Sequence, residues 1–207
     1  MTDPLFIDAH ADANPDKPAY VMARTGESVS YRELTDRSRQ AAHLMRSLGA
    51  SPSSCIAIMM ENHLRYLEIA WAAQRAGLRY TTISPRLTVD EVAYILEDSA
   101  ARLLFVSEST VEVASEAAAR VPAVSALISV GWPRDGTEDY AALISEQPHQ
   151  RLPDEAEGVD FLYSSGTTGR PKAIKTELPL HPIGTPPAIV PLFERLYGFG
   201  QDTVYLS

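Results

Sequence analysis

Residues 55–83 read CIAIMMENHLRYLEIAWAAQRAGLRYTTI and show two hydrophobic periods in succession. The run at 55–60 is continuously apolar, as expected of a strand buried on both faces. Residues 63–76 then repeat apolar side chains at helical spacing, and the candidate core positions are Leu64, Leu67, Trp71 and Ala72. Gly77 supplies a left-handed stop, and residues 79–83 form a second short strand. We therefore predict a strand–helix–strand unit, which is the building block of a parallel sheet.

The same alternation continues on both sides of this unit. Before it, Ser30 and Glu33 have the spacing of a capping box. The helix that follows is predicted to end at Gly49, with core candidates Leu34, Ala41, Leu44, Met45 and Leu48. After it, Thr88 and Glu91 form a second capping box, which opens a helix through Asp98. The remaining predicted elements are a strand at 102–106, a helix at 111–121, a strand at 126–130, a short helix at 138–146 and a strand at 159–163.

Alternating strands and amphipathic helices indicate the fold class α/β, a mostly parallel sheet with helices on both faces. A polar linker at 147–158 precedes the last strand. We therefore predict an α/β N-terminal subdomain at 1–158 and the start of a second sheet subdomain at 159–207. The second would carry a glycine-rich polar loop at 163–173, whose ligand is derived below, and a proline-rich loop at 178–191, since proline removes backbone donors and restricts its neighbours.

The composition is that of a globular protein with an acidic surface. The 207 residues include 18 Lys and Arg against 27 Asp and Glu, a net charge of −9. This charge argues against nucleic acid or anionic membranes as partners, because both require many basic side chains. The single cysteine, Cys55, excludes an internal disulfide framework and is expected to be a small buried side chain. No secretory signal and no membrane-spanning stretch is visible, so we expect a cytoplasmic protein.

A glycine-rich polar loop follows the last predicted strand, and residues 163–172 read YSSGTTGRPK. Ligands of parallel sheets bind at the carboxyl ends of strands, which is where this loop is predicted to lie. Backbone amides, four hydroxyls and a terminal ammonium would together hold a polyphosphate. The candidate binding residues are Ser164, Ser165, Gly166, Thr167, Thr168, Gly169 and Lys172.

The loop differs from two common motifs. A P-loop places Lys directly after its second Gly, whereas Lys172 follows Gly169 by three residues. A nucleophile elbow needs Gly two residues before the serine, where Leu162 and Tyr163 stand instead. A merely flexible turn is the alternative interpretation of a Ser, Thr and Gly run. The five histidines lack metal-ligand spacing on any one helix, so we expect solvated or capping roles for them and no metal ligands.

The loop resembles the signature phosphate loop of the adenylate-forming superfamily: acyl-CoA synthetases, aryl-CoA ligases, luciferases and nonribosomal peptide adenylation domains. The resemblance covers the whole chain. SYREL at 30–34 is similar to an early helix start of the family, and the segment 77–87, ending SPRL, resembles a further motif. LYGFG at 196–200 and TVYLS at 203–207 resemble the strand that leads to the next motif. The loop variant and the proline-rich segment after it are most similar to bacterial fatty-acyl-CoA synthetases.

This resemblance implies a reaction in two halves. A carboxylate attacks the α-phosphate of ATP and gives an acyl-adenylate and pyrophosphate, and the thiol of coenzyme A then displaces AMP. It implies that the loop residues hold the β- and γ-phosphates, while Mg²⁺ and lysines offset negative charge. The implied cofactors are ATP, Mg²⁺ and coenzyme A, and the implied partners are the small-molecule substrates ATP, fatty acid and coenzyme A.

The chain departs from the family pattern in two ways. Ala173 stands where the family usually has Gly, which would cost roughly 1 kcal/mol or more if that backbone has positive φ. The chain also ends at Ser207, before the family's adenine and ribose motifs, acidic Mg²⁺ ligand, most of the acyl pocket and C-terminal lid. We therefore expect an N-terminal fragment of an ATP-dependent fatty-acid–CoA ligase, without a catalytic residue and inactive alone. The alternative is a non-catalytic remnant that serves as a nucleotide-binding or interaction module. In either case an incomplete sheet would expose core surface and favour homo-oligomers.

Overall fold

The computed structural model describes residues 6–164, 171–174, 176–187, 189–200 and 203–206. The first part consists of α1 (Ile7–Ala13), β1 (Pro18–Val21), β2 (Ser28–Ser30) and α2 (Tyr31–Ser47). Strands and helices then alternate through β3 (Cys55–Met59), α3 (Tyr66–Arg75), β4 (Arg79–Thr82), α4 (Val89–Ser99), β5 (Ala101–Val106), α5 (Val111–Ala118) and β6 (Ala126–Ser129). The last part consists of β7 (Glu138–Asp139), α6 (Tyr140–Ser145), β8 (Val159–Asp160), β9 (Leu162–Ser164), β10 (Lys172–Ile174) and α7 (Val190–Tyr197).

Within the described residues, six strands form a parallel sheet in the order β7-β6-β5-β3-β4-β8. Every neighbouring pair in it runs parallel. The chain passes from β3 to β4 on one side and then crosses back to β5 on the other, so the strand order reverses between β3 and β5. The predicted mostly parallel α/β sheet is confirmed.

Successive residues of β3 lie in two hydrophobic clusters. Ile56 and Ile58 belong to the first cluster, which α2 and α3 complete. Ala57 and Met59 belong to the second cluster, which α4 and α5 complete. Because successive side chains of a strand point to opposite faces, helices cover both faces of the sheet. The apolar run at 55–60 is continuous for this reason, since neither face of the strand meets water.

The residues predicted to begin and end the helices do so in the structure. The Ser30 hydroxyl accepts a hydrogen bond from the Glu33 amide at 3.1 Å at the start of α2. Thr88 and Glu91 form the complete reciprocal capping box of α4. Gly49 and Gly77 have φ of 86° and 63°, the left-handed conformation that ends a helix at low steric cost.

Three predicted helices differ from the structure by two or three residues at one end. The helix predicted from residue 63 begins three residues later, at Tyr66. Leu67 is 42% exposed and does not belong to the core, because helical spacing alone does not tell which edge of an apolar stripe faces the sheet. The helix predicted at 111–121 ends at Ala118. The helix predicted at 138–146 loses its first two residues to the edge strand β7.

The single strand predicted at 159–163 is wrong, because the structure divides it in two. β8 adds to the edge of the large sheet, where Val159 pairs with Arg79. Gly158 permits this approach, since a Cβ there would lie 2.5 Å from the Leu78 carbonyl oxygen. After Phe161 the chain turns away, and β9 pairs antiparallel with β10 as a separate two-stranded ribbon. The phosphate loop therefore follows β9, which begins two residues after the carboxyl end of the parallel strand β8.

The C-terminal part of the chain lies largely on the surface. In the proline-rich stretch Pro182 forms a bridge to Ala156, while Pro191 lies in the first turn of α7. No residue of α7 is buried. The family resemblance implies a strand at 203–207. The described residues Thr203–Leu206 form no strand, and no described strand pairs with them. Among the described helices, none has the length and apolar character needed to cross a bilayer.

Candidate functional site

The two ends of the predicted phosphate loop lie opposite each other in the β9–β10 ribbon. Ser164 pairs with Lys172 across the ribbon, and the Ser164 hydroxyl donates to the Lys172 carbonyl oxygen at 3.4 Å. Of the seven predicted binding residues, the structure therefore brings these two together. Ser165, Gly166, Thr167, Thr168 and Gly169 lie outside the described residues.

This pairing places a hydroxyl and an ammonium on one face of the ribbon. Directly opposite residues of antiparallel strands have their Cβ atoms about 4.5–5.5 Å apart and project to the same side. Ser164 and Lys172 are both exposed. Within the described residues, Lys172 has no carboxylate within ion-pair distance. Its ammonium is thus available to an anionic ligand at the mouth of the loop.

Ala173 is not strained. It lies in β10 opposite Tyr163 and is absent from the described non-glycine residues with positive φ, which are Ser53, Ala100 and Leu180. The energetic cost that a left-handed backbone would impose on alanine therefore does not arise. Extended strand geometry is the physical reason, because it accommodates any Cβ.

Tyr163 joins the ribbon to the sheet domain. Its hydroxyl donates to the Asp98 carboxylate at 2.7 Å, its ring lies 5.4 Å from that of Phe161, and it packs against the second cluster. Burial raises the pKa of Tyr163, and the hydrogen bond to Asp98 raises it further, so the phenol remains a donor. In the sequence analysis Asp98 is only the end of a predicted helix. No local pattern could connect it to a tyrosine 65 positions away.

At the edge of the sheet where the strand order reverses, two serine hydroxyls donate hydrogen bonds to a carboxylate of the chain itself. Glu61, after β3, accepts hydrogen bonds from Ser107 and Ser109, after β5. Thr110 closes the cluster by donating to the Met59 carbonyl oxygen at 2.6 Å. Burial alone would raise the pKa of Glu61, but the two serine hydroxyls outweigh it and lower the pKa. The serine hydroxyls at this edge of the sheet are therefore already paired with Glu61, whose side chain is exposed.

A cavity of about 460 Å³ lies between the β1–β2 hairpin, α2 and the loops after β3 and β6. Two guanidinium groups line it, but Arg37 pairs with Glu68 at 2.6 Å and Arg65 pairs with Glu33 at 2.8 Å. His63 also lines it, and burial lowers the pKa of this imidazole. The cations that line this cavity are therefore already paired, whereas no described carboxylate pairs with the ammonium of Lys172.

Two histidines that we expected to be solvated or capping residues have contacts within the fold. His10 stacks on Tyr31 with ring centroids 5.0 Å apart, and His43 hydrogen-bonds the Gln150 carbonyl oxygen at 3.0 Å. In the described part of the chain, no three His, Cys, Asp or Glu side chains converge as a metal site. Cys55 is buried, and burial raises the pKa of its thiol to about 12, as expected of a packed side chain rather than a nucleophile.

The curated relatives of the chain include ligases and subunits of synthases. The 4-hydroxybenzoate–CoA/benzoate–CoA ligase of Rhodopseudomonas palustris is 30% identical over 206 residues, which are 98% of this chain and 37% of that protein. The fatty acid–[acyl-carrier-protein] ligase ScoC of Streptomyces coeruleorubidus is 30% identical over 171 residues, which are 80% of this chain and 31% of that protein. The chain thus spans about a third of the length of these relatives.

Solved structures share the fold. An anthranilate–CoA ligase in complex with anthranoyl-AMP superposes with a TM-score of 0.71 at 22% identity, covering 83% of this chain and 34% of that chain. A fatty acyl-CoA synthetase of Mycobacterium tuberculosis gives a TM-score of 0.68 at 20% identity, covering 81% of this chain and 32% of that chain.

The family match extends over both the parallel sheet and the whole β9–β10 ribbon. The model of the AMP-binding enzyme family matches residues 7–177, which include β3 to β6 and the whole loop at 163–172. Together with the shared fold, this match shows that the chain belongs to the AMP-binding, adenylate-forming enzymes, of which it represents an N-terminal portion.

Proposed function

We propose that residues 163–172 bind the β- and γ-phosphates of ATP, and that the chain is the polyphosphate-binding part of an ATP-dependent acid–thiol ligase. The observation that carries the proposal is the pairing of Ser164 with Lys172, which brings the two ends of the loop together. No described carboxylate forms an ion pair with the Lys172 ammonium. The family match over residues 7–177 supports the same assignment.

The chemistry of the loop fits this substrate. A hydrogen bond to a charged group contributes roughly 1.5–3 kcal/mol, so a few hydroxyl and amide donors suffice to hold a polyphosphate. Lys172 adds a positive charge where pyrophosphate would gain negative charge as it leaves. Mg²⁺ would neutralise phosphate oxygens when it is bound. The described residues offer no cluster of ligands for it, so its protein ligands are not assigned to them.

The proposed reaction proceeds in two balanced steps. A carboxylate oxygen forms a bond to the α-phosphorus of ATP while the bond to the β-phosphate oxygen breaks and pyrophosphate leaves. The thiol sulfur of coenzyme A then attacks the acyl carbon, AMP leaves, and the thiol proton passes to solvent. We propose a fatty acid as the acid. The acyl-carrier-protein ligase supports a fatty acid, and the benzoate ligase makes an aromatic acid the alternative.

Calorimetric titration of the chain with ATP, pyrophosphate and AMP tests the loop assignment. ATP and pyrophosphate should bind more tightly than AMP, which lacks the β- and γ-phosphates. Lys172→Ala should weaken the binding of ATP by roughly tenfold to a hundredfold, since it removes a charged hydrogen bond. Arg24→Ala is the matched control, because Arg24 is an exposed cation on the β1–β2 turn and should leave the affinity unchanged. Equal affinities in Lys172→Ala and the unaltered chain would refute the assignment.

The complete ligase reaction is proposed for a protein of the relatives' length. The chain spans 37% of the benzoate ligase, so we expect the purified chain to bind ATP without forming acyl-CoA from ATP, coenzyme A and an acid. Robust acyl-CoA formation in a mass-spectrometric assay of the purified chain would contradict this expectation.

An interaction module without catalysis is the second candidate function. The exposure of α7, in which Leu196 and Tyr197 are 60% and 66% exposed, favours it. The same calorimetry separates the two candidates, because an interaction module requires no selectivity for ATP over AMP.

A further inference from the structure

In β9, one side chain packs into the hydrophobic core of the sheet. Leu162 and Ser164, on either side of Tyr163, are both exposed. Tyr163 is half-buried and packs against the second cluster. On its other side β9 pairs with β10, which is itself a short exposed strand. Tyr163 is therefore the point at which the ribbon is held to the sheet domain.

The hydrogen-bond acceptor of Tyr163 belongs to a firmly packed element. Asp98 lies in the last turn of α4, whose side chains Val92, Ile95 and Leu96 are buried in the second cluster. The 2.7 Å bond from the Tyr163 hydroxyl to the Asp98 carboxylate gives the ribbon a directional contact in addition to apolar packing. Because a hydrogen bond is directional, it fixes the orientation of the Tyr163 ring more closely than apolar packing alone does.

We propose that Asp98 is a positioning residue for the phosphate loop: by accepting the hydrogen bond of Tyr163 it holds the β9–β10 ribbon, and with it the paired residues Ser164 and Lys172, in place against α4. Asp98 itself touches no phosphate in this arrangement. The consequence for ATP binding rests on the proposed function of the loop. The fixation of the ribbon does not depend on it.

Four variants separate this role from the general stability of α4. Tyr163→Phe removes the hydroxyl and keeps the ring packed. Asp98→Ala removes the acceptor, whereas Asp98→Asn keeps an acceptor oxygen without the charge. Glu97→Ala is the matched control, since Glu97 is an exposed carboxylate of the same helical turn and no contact joins it to the described part of the ribbon.

The first measurement is hydrogen–deuterium exchange of the amides at 162–164 and 172–174 without nucleotide. Tyr163→Phe and Asp98→Ala should speed exchange about fivefold, the effect of losing one net hydrogen bond that opposes local opening. Asp98→Asn and Glu97→Ala should exchange like the unaltered chain. The double variant Tyr163→Phe/Asp98→Ala should be no faster than either single variant, because both remove the same bond.

The second measurement is calorimetric ATP affinity at a temperature where every variant is folded. The affinity should fall about fivefold in Tyr163→Phe and in Asp98→Ala, and should be restored in Asp98→Asn. If Tyr163→Phe does not fold, the comparison of Asp98→Ala with Asp98→Asn carries the test, since it leaves the ribbon sequence intact.

The outcomes distinguish the two proposals. Faster ribbon exchange together with no ATP binding by the unaltered chain would uphold the positioning role and refute the phosphate-binding function. Unchanged exchange in folded Tyr163→Phe and Asp98→Ala would overturn the positioning role, whatever the ATP affinity.

Discussion

Arg75 is the largest side chain with no exposed surface among the described residues. Its guanidinium lies 2.7 Å from an Asp8 oxygen and 3.0 Å from a Glu155 oxygen, and its centre is 5.3 Å from the Phe6 ring centroid. These contacts tie α1 and the loop before β8 to the end of α3. A buried charge is tolerated only with such partners, so this single residue joins three distant parts of the chain.

We expect Arg75→Met to lower the free energy of unfolding by about 3 kcal/mol, because it removes the buried cation that Asp8 and Glu155 share and leaves them only the partly exposed Arg39 and Arg151. Urea unfolding measures this change. Arg32→Met is the control, since Arg32 is largely exposed and its ion pair with Asp16 is 3.9 Å long, and its effect should be below about 0.5 kcal/mol. A change in Arg75→Met as small as in the control would contradict the structural role of Arg75.

The stability of the chain should fall in acid partly through Asp8. Burial alone would raise the pKa of Asp8, but Arg75 and Arg39 outweigh it and hold the pKa below its ordinary value of 3.8. Because the pKa of Asp8 is lower in the folded state, its ionised carboxylate stabilises the fold fully above pH 3.8. This stabilisation is lost as the pH falls through the folded-state pKa. In a pH series of urea unfolding, Asp8→Asn should be less stable at neutral pH and should lose less stability below pH 3.8. Parallel pH profiles for both proteins would be evidence against this linkage.

At the scale of elements, the end of α4 stores a small strain. Ala100 caps this helix in the left-handed conformation with φ of 52°, where a Cβ is unfavourable. Ala100→Gly should raise the free energy of unfolding by about 1 kcal/mol. The matched change Ala93→Gly in the interior of α4 should lower it by about 1 kcal/mol. Thermal unfolding of both variants checks the opposite signs, and a destabilised Ala100→Gly would exclude the strain.

The elements buried on both faces could be predicted from the sequence, and those fixed by distant contacts could not. The apolar run of β3 and the capping box at Thr88 are local signals, so their elements follow from the residues alone. The run at 159–163 gives no local sign that β8 joins Arg79–Tyr80 while β9 joins Lys172–Ile174. Those partners are set by tertiary pairing.

The candidate site divides in the same way. The loop motif identifies Ser164 and Lys172 as binding candidates, since hydroxyls, glycines and a lysine in one run are themselves the signal. Asp98 carries no such signal, because its importance depends on a tyrosine that the fold brings to it. The same holds for Arg75, which a helical pattern would place on an ordinary surface.

At the scale of the whole molecule, an acidic chain carries an exposed apolar surface near its C-terminus. On α7, Leu192 and Leu196 are 49% and 60% exposed one turn apart, and in the tail Val204 and Tyr205 are 95% and 75% exposed. Contiguous apolar surface of this kind favours association, which the net charge of −9 opposes.

We therefore expect sedimentation velocity to show concentration-dependent self-association that strengthens as salt screens the charge. Leu192→Glu/Leu196→Glu should weaken the association by roughly tenfold or more, the effect of losing buried apolar contact. Leu67→Glu is the control, as Leu67 is a 42% exposed leucine on α3, outside this surface. A monomer at every concentration and salt level would contradict the expectation.

Amide NMR of the chain during titration with ATP tests the phosphate-loop assignment most directly. The account predicts saturable shifts concentrated on residues 164–172, with much smaller shifts when AMP replaces ATP. Shifts confined to the cavity around His63, or equal responses to ATP and AMP, would contradict it.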